Sequence, residues 1–284
     1  MRPAYEKRRA GWLTAIGRSL LKRLETPTKS YEKRIINNMR NLYRVIRKGD
    51  VVLVEGRSEV SRIIQLLTKS SWSHLVFYVG DALEGVGTEA MKTVLDRAGD
   101  PDRQHMAIEA NAGSGVEAVS LGKYRDCNIR ICRPFGISPE DLETVVAEVI
   151  ANIGKHYDHH NILDLGLMLM PPFLNPFKRR TIKACLGGCS EYEVICSGMV
   201  AKAFQKVGYP IVPVLLPPTD ANEKDIANPY GSALIMRHYS QIVPRDFDLS
   251  PNFEILKYNI IGTGRFDYRT VWAEKRDLPI GRRN

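Results

Sequence analysis

The sequence predicts an α+β protein. Short β-branched apolar runs closed by turn residues lie along the same chain as amphipathic stretches that carry helix-start signals. Two of the runs, Ser73 to Val79 and Met106 to Ala110, are read as antiparallel neighbours. The 284 residues, 44% hydrophobic and 26% charged, have an ordinary globular composition for one large domain or two small ones. Disorder throughout the chain is thereby excluded.

The elements follow in order. Asp50-Val51-Val52-Leu53-Val54 is a continuous apolar run closed by Glu55-Gly56, the pattern of a strand buried on both faces. Ser58 is an N-cap for a helix through Val60, Ile63, Ile64, Leu66 and Leu67. Ser73 to Val79 is the next strand, stopped by Gly80-Asp81, with His74 at its beginning. Residues 81–104 are polar and predict a loop with a short helix, after which Met106 to Ala110 forms another short strand. Gly113, Gly115 and Val116 suggest a tight turn, and Asn128 to Arg133 a strand of alternating exposure. Ser138-Pro139-Glu140-Asp141 is a helix start with a capping hydroxyl, a first-turn proline and acids that complement the dipole. Val145, Val146, Val149 and Ile150 give that helix its apolar face. Met199, Val200, Ala203, Phe204 and Val207 repeat at helical spacing from Cys196, with Gly208 as the stop. Leu216 to Asp220 breaks the chain again, and Phe253 to Leu256 is a final strand.

Charge separates the N-terminus from the rest. Residues 1–50 hold 14 Lys+Arg against 4 Asp+Glu, a net of +10, whereas the whole chain is +9, so the remaining 234 residues sum to −1. Tyr5 to Leu24 places Trp12, Leu13, Ile16, Leu20 and Leu24 at helical spacing among basic residues, a basic amphipathic helix. Tyr31 to Arg47 is a second basic helical segment whose Ile35, Ile36, Met39, Leu42, Tyr43 and Ile46 can pack on the domain that follows. The apolar stretch from Gly11 to Gly17 is too short for a secretory signal and lacks a cleavage site. The five cysteines are an odd number, which argues for reduced thiols. The expectation is a cytoplasmic protein, with peripheral attachment to the inner membrane face left open by residues 1–48 as a possible contact with anionic lipid. No apolar run reaches the length of about 20 residues that spans a bilayer. Ile162 to Leu174 comes nearest and is read as a buried helix and loop, or else as an apolar surface segment beside Lys178-Arg179-Arg180.

Cys196 and His74 are the candidates for chemistry. A thiol becomes a nucleophile when a neighbour takes its proton, and a helix N-terminus favours the thiolate. Antiparallel pairing of the two strands brings the start of one beside the end of the other, so Glu109 falls within reach of His74. Two metal readings compete and are set aside. Cys185, Cys189 and Cys196 lack the paired spacing of structural zinc sites. His156 and His160, in a cluster with Asp158 and His159, share a helical face but lack the glutamate of the metalloprotease pattern.

Gly49 to Val54, Ser73-His74, Ile108-Glu109-Ala110 with Gly115-Val116, Gly154-Lys155-His156-Tyr157-Asp158, Ile195-Cys196-Ser197 and Pro218-Thr219-Asp220 occur in this order. Together they resemble the permuted papain-like amidases of the YiiX/YaeF group, circularly permuted relatives of the NlpC/P60 cysteine peptidases, over roughly residues 49–260. The resemblance implies a permuted papain-like fold with an antiparallel sheet packed against helices, in which the histidine strand precedes the cysteine helix. It divides the chain into a basic helical extension (1–48), a catalytic domain (49–262) and a C-terminal tail (263–284). It implies Cys196 as nucleophile, His74 as base and then acid, Glu109 as the group that orients His74, and Tyr157 as a residue lining the substrate site. The family commonly has an acidic residue after Cys-Ser, where this chain has Gly198, a departure that bears on substrate contacts.

The activity expected is amide hydrolysis through a thioester, as a peptidase or amidase on peptide or cell-wall fragments, with no metal and no cofactor. One alternative is a membrane-associated lipid acyl hydrolase or acyltransferase of the same fold, which the basic N-terminus and the segment Ile162 to Leu174 favour. Another is a non-enzymatic module that binds membrane or nucleic acid through its N-terminal helices. The interleaved aromatic and basic residues of nucleic-acid modules are not evident, and no specific nucleic acid is expected.

Overall fold

The computed structural model describes residues 37–84, 103–111, 115–155, 196–215 and 234–259. One antiparallel sheet is built from β1 (Val51–Val54), β2 (His74–Gly80), β3 (Met106–Asn111), β4 (Gly115–Ser120), β5 (Ile129–Pro134) and β8 (Phe253–Leu256). Their spatial order is β4-β3-β2-β1-β5-β8, and a separate ribbon pairs β6 (Pro213–Leu215) with β7 (Leu234–Met236). The described helices are α1 (Met39–Val45), α2 (Glu59–Thr68), α3 (Pro139–Ile150), α4 (Cys196–Lys206) and α5 (Pro244–Leu249). An antiparallel sheet packed against helices is the α+β arrangement that the sequence predicts.

The sheet is buried on both faces, which is why β1 is a run of four apolar residues without polar alternation. Val51 and Leu53 point into a cluster with Phe77, Ile108, Val145, Val149, Met199, Val200 and Phe204, so α3 and α4 cover that face. Val52 and Val54 point into a second cluster with Leu42, Ile46, Val76, Leu121, Tyr124 and Tyr258 on the other face. Phe204 anchors the first cluster through edge-on contact with Phe77 at 6.2 Å and Phe253 at 5.3 Å between ring centroids.

Local signals explain the ends of the helices. Ser58 and Ser138 accept hydrogen bonds from the backbone N–H of Ser61 and Asp141, each at 3.1 Å, and so cap α2 and α3. Lys69 closes α2 in the left-handed conformation at φ 51°. Gly49 stands at φ +92°, a backbone conformation that favours glycine, and a Cβ there would push the Leu142 side chain of α3 aside. Leu66, expected with the apolar residues of α2, is instead exposed.

Residues 37–46 belong to the packing of the second face. Leu42 and Ile46 are buried there. The Asn37 side chain donates to the carbonyls of Arg125 at 2.9 Å and Cys127 at 2.7 Å and accepts from the Tyr258 hydroxyl at 2.6 Å. β4, the β6–β7 ribbon and α5 are additions to the sequence prediction; Gly115 and Val116, read as a turn, begin β4. The amphipathic helix over 5–24, Tyr157, the histidines 156, 159 and 160, Asp158, the segment Ile162 to Leu174, Cys185, Cys189 and the tail all lie outside the described residues.

Candidate active site

The start of β2 is pinned from several directions, and that decides where His74 stands. The backbone N–H of Ser73 donates to the Val54 carbonyl at 3.2 Å, and the Ser73 hydroxyl accepts from the Gly56 N–H at 3.0 Å. A Cβ on Gly56 would collide with the hydroxyls of Ser61 and Ser73. One residue earlier, the indole N–H of Trp72 donates to Asp248 at 2.9 Å, and Arg130 lies over the Trp72 ring while binding the other oxygen of Asp248 at 2.6 Å.

β2 and β3 are antiparallel neighbours with Val76 opposite Glu109. Glu109 is thus diagonal to His74, two residues along on the same face, a spacing that long side chains can bridge. Glu Oε2 and His Nε2 are 2.9 Å apart. Alternation along β2 sends Leu75, Phe77 and Val79 into the cluster under α3 and α4, and Val76 and Tyr78 into the opposite one. His74 and Glu109 therefore follow the second face, whereas Cys196, at the first position of α4, belongs to the first cluster. The three meet because His74 is the terminal residue of its strand, at the end of the sheet. Cys196 lies near enough to the His74 ring to act on it, by charge first. With Nε2 engaged by Glu109, Nδ1 is the ring nitrogen left for the thiol.

The electrostatics follow from these contacts. Burial by itself works against a proton on His74, but charge and hydrogen bonding from Cys196, and then from Glu109, outweigh it and hold the imidazole up at about 10. Burial likewise pushes Glu109 up, and His74 first and Lys123 second overcome it, drawing the carboxyl down to about 2. Glu109 is only 1% exposed, and both its oxygens are occupied. Oε1 accepts from the Lys123 ammonium, and Oε2 accepts from the Tyr124 hydroxyl as well as from His74. Burial first, then Glu109, pushes the Tyr124 phenol far above its ordinary range, so it remains an O–H donor.

Lys123 and Tyr124 were not expected at the site. They lie in a 3₁₀ turn, Leu121–Tyr124, in which the Gly122 N–H donates to the Ser120 hydroxyl and the Leu121 N–H to the His105 carbonyl. The turn follows β4 directly, and with β4 unrecognised nothing in Gly122-Lys123-Tyr124 pointed to Glu109. Ser197, next to Cys196, is fully buried and donates to the Ile242 carbonyl at 2.7 Å, tying the first turn of α4 to the chain before α5. Gly198 is also buried in that turn. Among the described residues no group of three or more His, Cys, Asp and Glu side chains is arranged to hold a metal ion.

No protein-family model matches the chain, and no curated protein sequence does. Among solved structures, the chain is similar to the metalloprotein YiiX from Escherichia coli O157:H7, at 17% identity and a TM-score of 0.42. The match covers 75% of this chain and 97% of that one.

Proposed function

We propose that the chain is a cysteine hydrolase with a permuted papain-like fold, which cleaves an amide bond through a thioester. The observation that supports this is the His74 ring bound to the buried carboxylate of Glu109 at 2.9 Å, with Cys196 near enough to act on the same ring by charge. In the proposed cycle the Cys196 thiolate attacks the carbonyl carbon, and the C–S bond forms as the π electrons move to oxygen. The imidazolium of His74 then gives its proton to the leaving nitrogen as the C–N bond breaks. Neutral His74 next takes a proton from water, whose oxygen attacks the thioester and expels the thiolate. Glu109 stays ionised throughout and holds the imidazole in one orientation. Cys196 stands at the first described position of α4, and a backbone N–H at a helix start is suited to stabilise the oxyanion.

Two substrate classes fit this chemistry. Peptides and cell-wall fragments suit an amidase, while the net charge of +10 in residues 1–50 favours an acyl substrate presented at an anionic lipid surface. Among the described residues no helix is long and apolar enough to cross a membrane. Binding to anionic vesicles that survives deletion of residues 1–36 in full would remove the N-terminus from the lipid reading.

The thiol is tested by limited alkylation near neutral pH followed by peptide mapping. Burial raises the thiols of Cys127 and Cys132 above their ordinary range, which makes them poor competitors. The expected result is modification of Cys196 ahead of these two, lost in His74→Ala. Equal labelling of all three would overturn the reading.

A further inference from the structure

Glu109 carries more donors than the orientation of an imidazole needs. One buried carboxylate receives the His74 ring, the Lys123 ammonium and the Tyr124 hydroxyl, and its Oε2 is shared between the ring and the phenol. On the strand pairing, Glu117 of β4 stands directly opposite Glu109, with its own Oε1 accepting from Asn111 at 2.9 Å. Two like charges in register repel, and Lys123 supplies the cation between the turn and this pair of strands. Among the described residues the charged and titratable groups on this side of the imidazole are Cys196 from α4, Glu109 from β3, and Lys123 and Tyr124 from the turn, with Glu117 of β4 behind Glu109. Cys127, with Arg57 and Asp126 beside it, lies one layer further out.

Donors on the same carboxylate compete for its charge. A carboxylate bound by the ring alone would attract the imidazolium proton with its full charge, and a proton held that tightly is slow to leave for a substrate nitrogen. We propose that Lys123 and Tyr124 are positioning residues that share Glu109 with His74, fixing the carboxylate in place while limiting how strongly His74 holds its proton. The proposal rests on the assignment of His74 as the acid and base of the site. It adds a direction that simple structural support does not predict. If Lys123 and Tyr124 only held the site together, losing either would loosen it, let water reach His74 and return the imidazole toward its ordinary range, which is downward. If they draw charge from Glu109, losing either strengthens the pull of Glu109 on the ring, which is upward.

The experiment is an NMR titration of the His74 imidazole in Cys196→Ala, which removes the charge of the neighbouring sulfur, and in the same protein carrying Lys123→Gln, Lys123→Arg or Tyr124→Phe. Lys123→Gln is expected to raise the midpoint by about one pH unit, the scale of one neighbouring charge. Lys123→Arg, which keeps the charge, is expected to leave it in place, and Tyr124→Phe to raise it by less. A midpoint that falls, or stays still, in Lys123→Gln overturns the proposal, and one that does not rise in Tyr124→Phe removes Tyr124 from it. Lys123 is half exposed, so its variants remain folded and decide the matter even where Tyr124→Phe does not. The titration needs no substrate. Failure of the cysteine-hydrolase reading shows separately, as loss of preference for Cys196 in alkylation of the wild type.

Discussion

Two buried carboxylates serve the sheet in opposite ways. Asp50 and Glu109 are each 1% exposed, and each faces a cation that is 19% exposed, Arg133 for one and His74 for the other. Arg133 grips Asp50 with Nε at 2.8 Å and a second guanidinium nitrogen at 2.7 Å, and the Arg47 N–H adds a third bond at 2.8 Å. Even so, burial dominates and Asp50 is raised, whereas Glu109 is drawn down to about 2. The partner makes the functional difference. An arginine never gives up its proton at accessible pH, so Asp50–Arg133 acts as a fixed tie between β5 and the approach of β1, extended by the Arg133 bond to the Val45 carbonyl at 2.6 Å. A histidine can give it up, and its other nitrogen faces a thiol, so the same burial becomes a means of setting proton affinity.

The largest test of this contrast is kinetic. Cys196→Ala is expected to lower kcat by on the order of 10⁶-fold, as loss of a triad nucleophile does. Glu109→Gln is expected to cost about 10⁴-fold through loss of the oriented imidazolium. Asp50→Asn is expected to leave kcat of the folded protein unchanged and instead to lower stability by about 1–3 kcal/mol, because the amide keeps one acceptor for Arg133 and loses the other. Equal kinetic losses in Glu109→Gln and Asp50→Asn, measured on one amide substrate, would erase the distinction.

The next test is pH dependence, where the two carboxylates carry opposite signs. Glu109 is lowered, so its contribution to stability is present above the ordinary value of 4.5 and is lost as pH falls through about 2. His74 is raised, so its contribution is complete below 6.5 and is lost as pH rises through about 10. Asp50 is raised, so its ionisation works against the folded state instead of for it. Melting temperature followed against pH should therefore lose much of its acid-side slope in Glu109→Gln and keep it in Asp50→Asn. Activity should fall on the alkaline side as His74 loses the proton it gives to the leaving group. The smallest effect is expected in Arg133→Lys, which gives up the two-pronged grip and costs about 1–2 kcal/mol by thermal or urea unfolding.

The sequence was most legible where one local rule acted alone. Ser58 and Ser138 as caps and the four-residue apolar run of β1 each follow from neighbours a few positions apart; the alternation expected of β5 fails at Cys132, which is buried beside Ile131 because both faces of the sheet are covered there. The nearness of His74 and Glu109 also followed, because one assumption about pairing fixed their register. β4 escaped notice because Gly115-Val116 carries a turn signal and because Glu117, opposite Glu109, breaks the apolar pattern expected of a strand. Leu66 was placed with the apolar face of α2 by spacing, yet it is exposed; spacing ranks positions on a helix, and only the surrounding packing says which are covered.

Sequence alone determined the ends of α2, α3 and α4, the continuous burial of β1, and a histidine and a cysteine at the starts of their elements. Those properties depend on hydrogen bonds and side-chain periodicity within a few residues. Tertiary structure alone decided that Cys196, from the cluster on one face of the sheet, and Glu109, from the other, both reach His74 at the end of β2. It also decided that Lys123 and Tyr124 close on the same carboxylate and that Asp50 finds Arg133 instead of a titrating partner. Each of these depends on which strands lie side by side and how the sheet ends, and a carboxylate's charge state is set by the groups the fold brings to it.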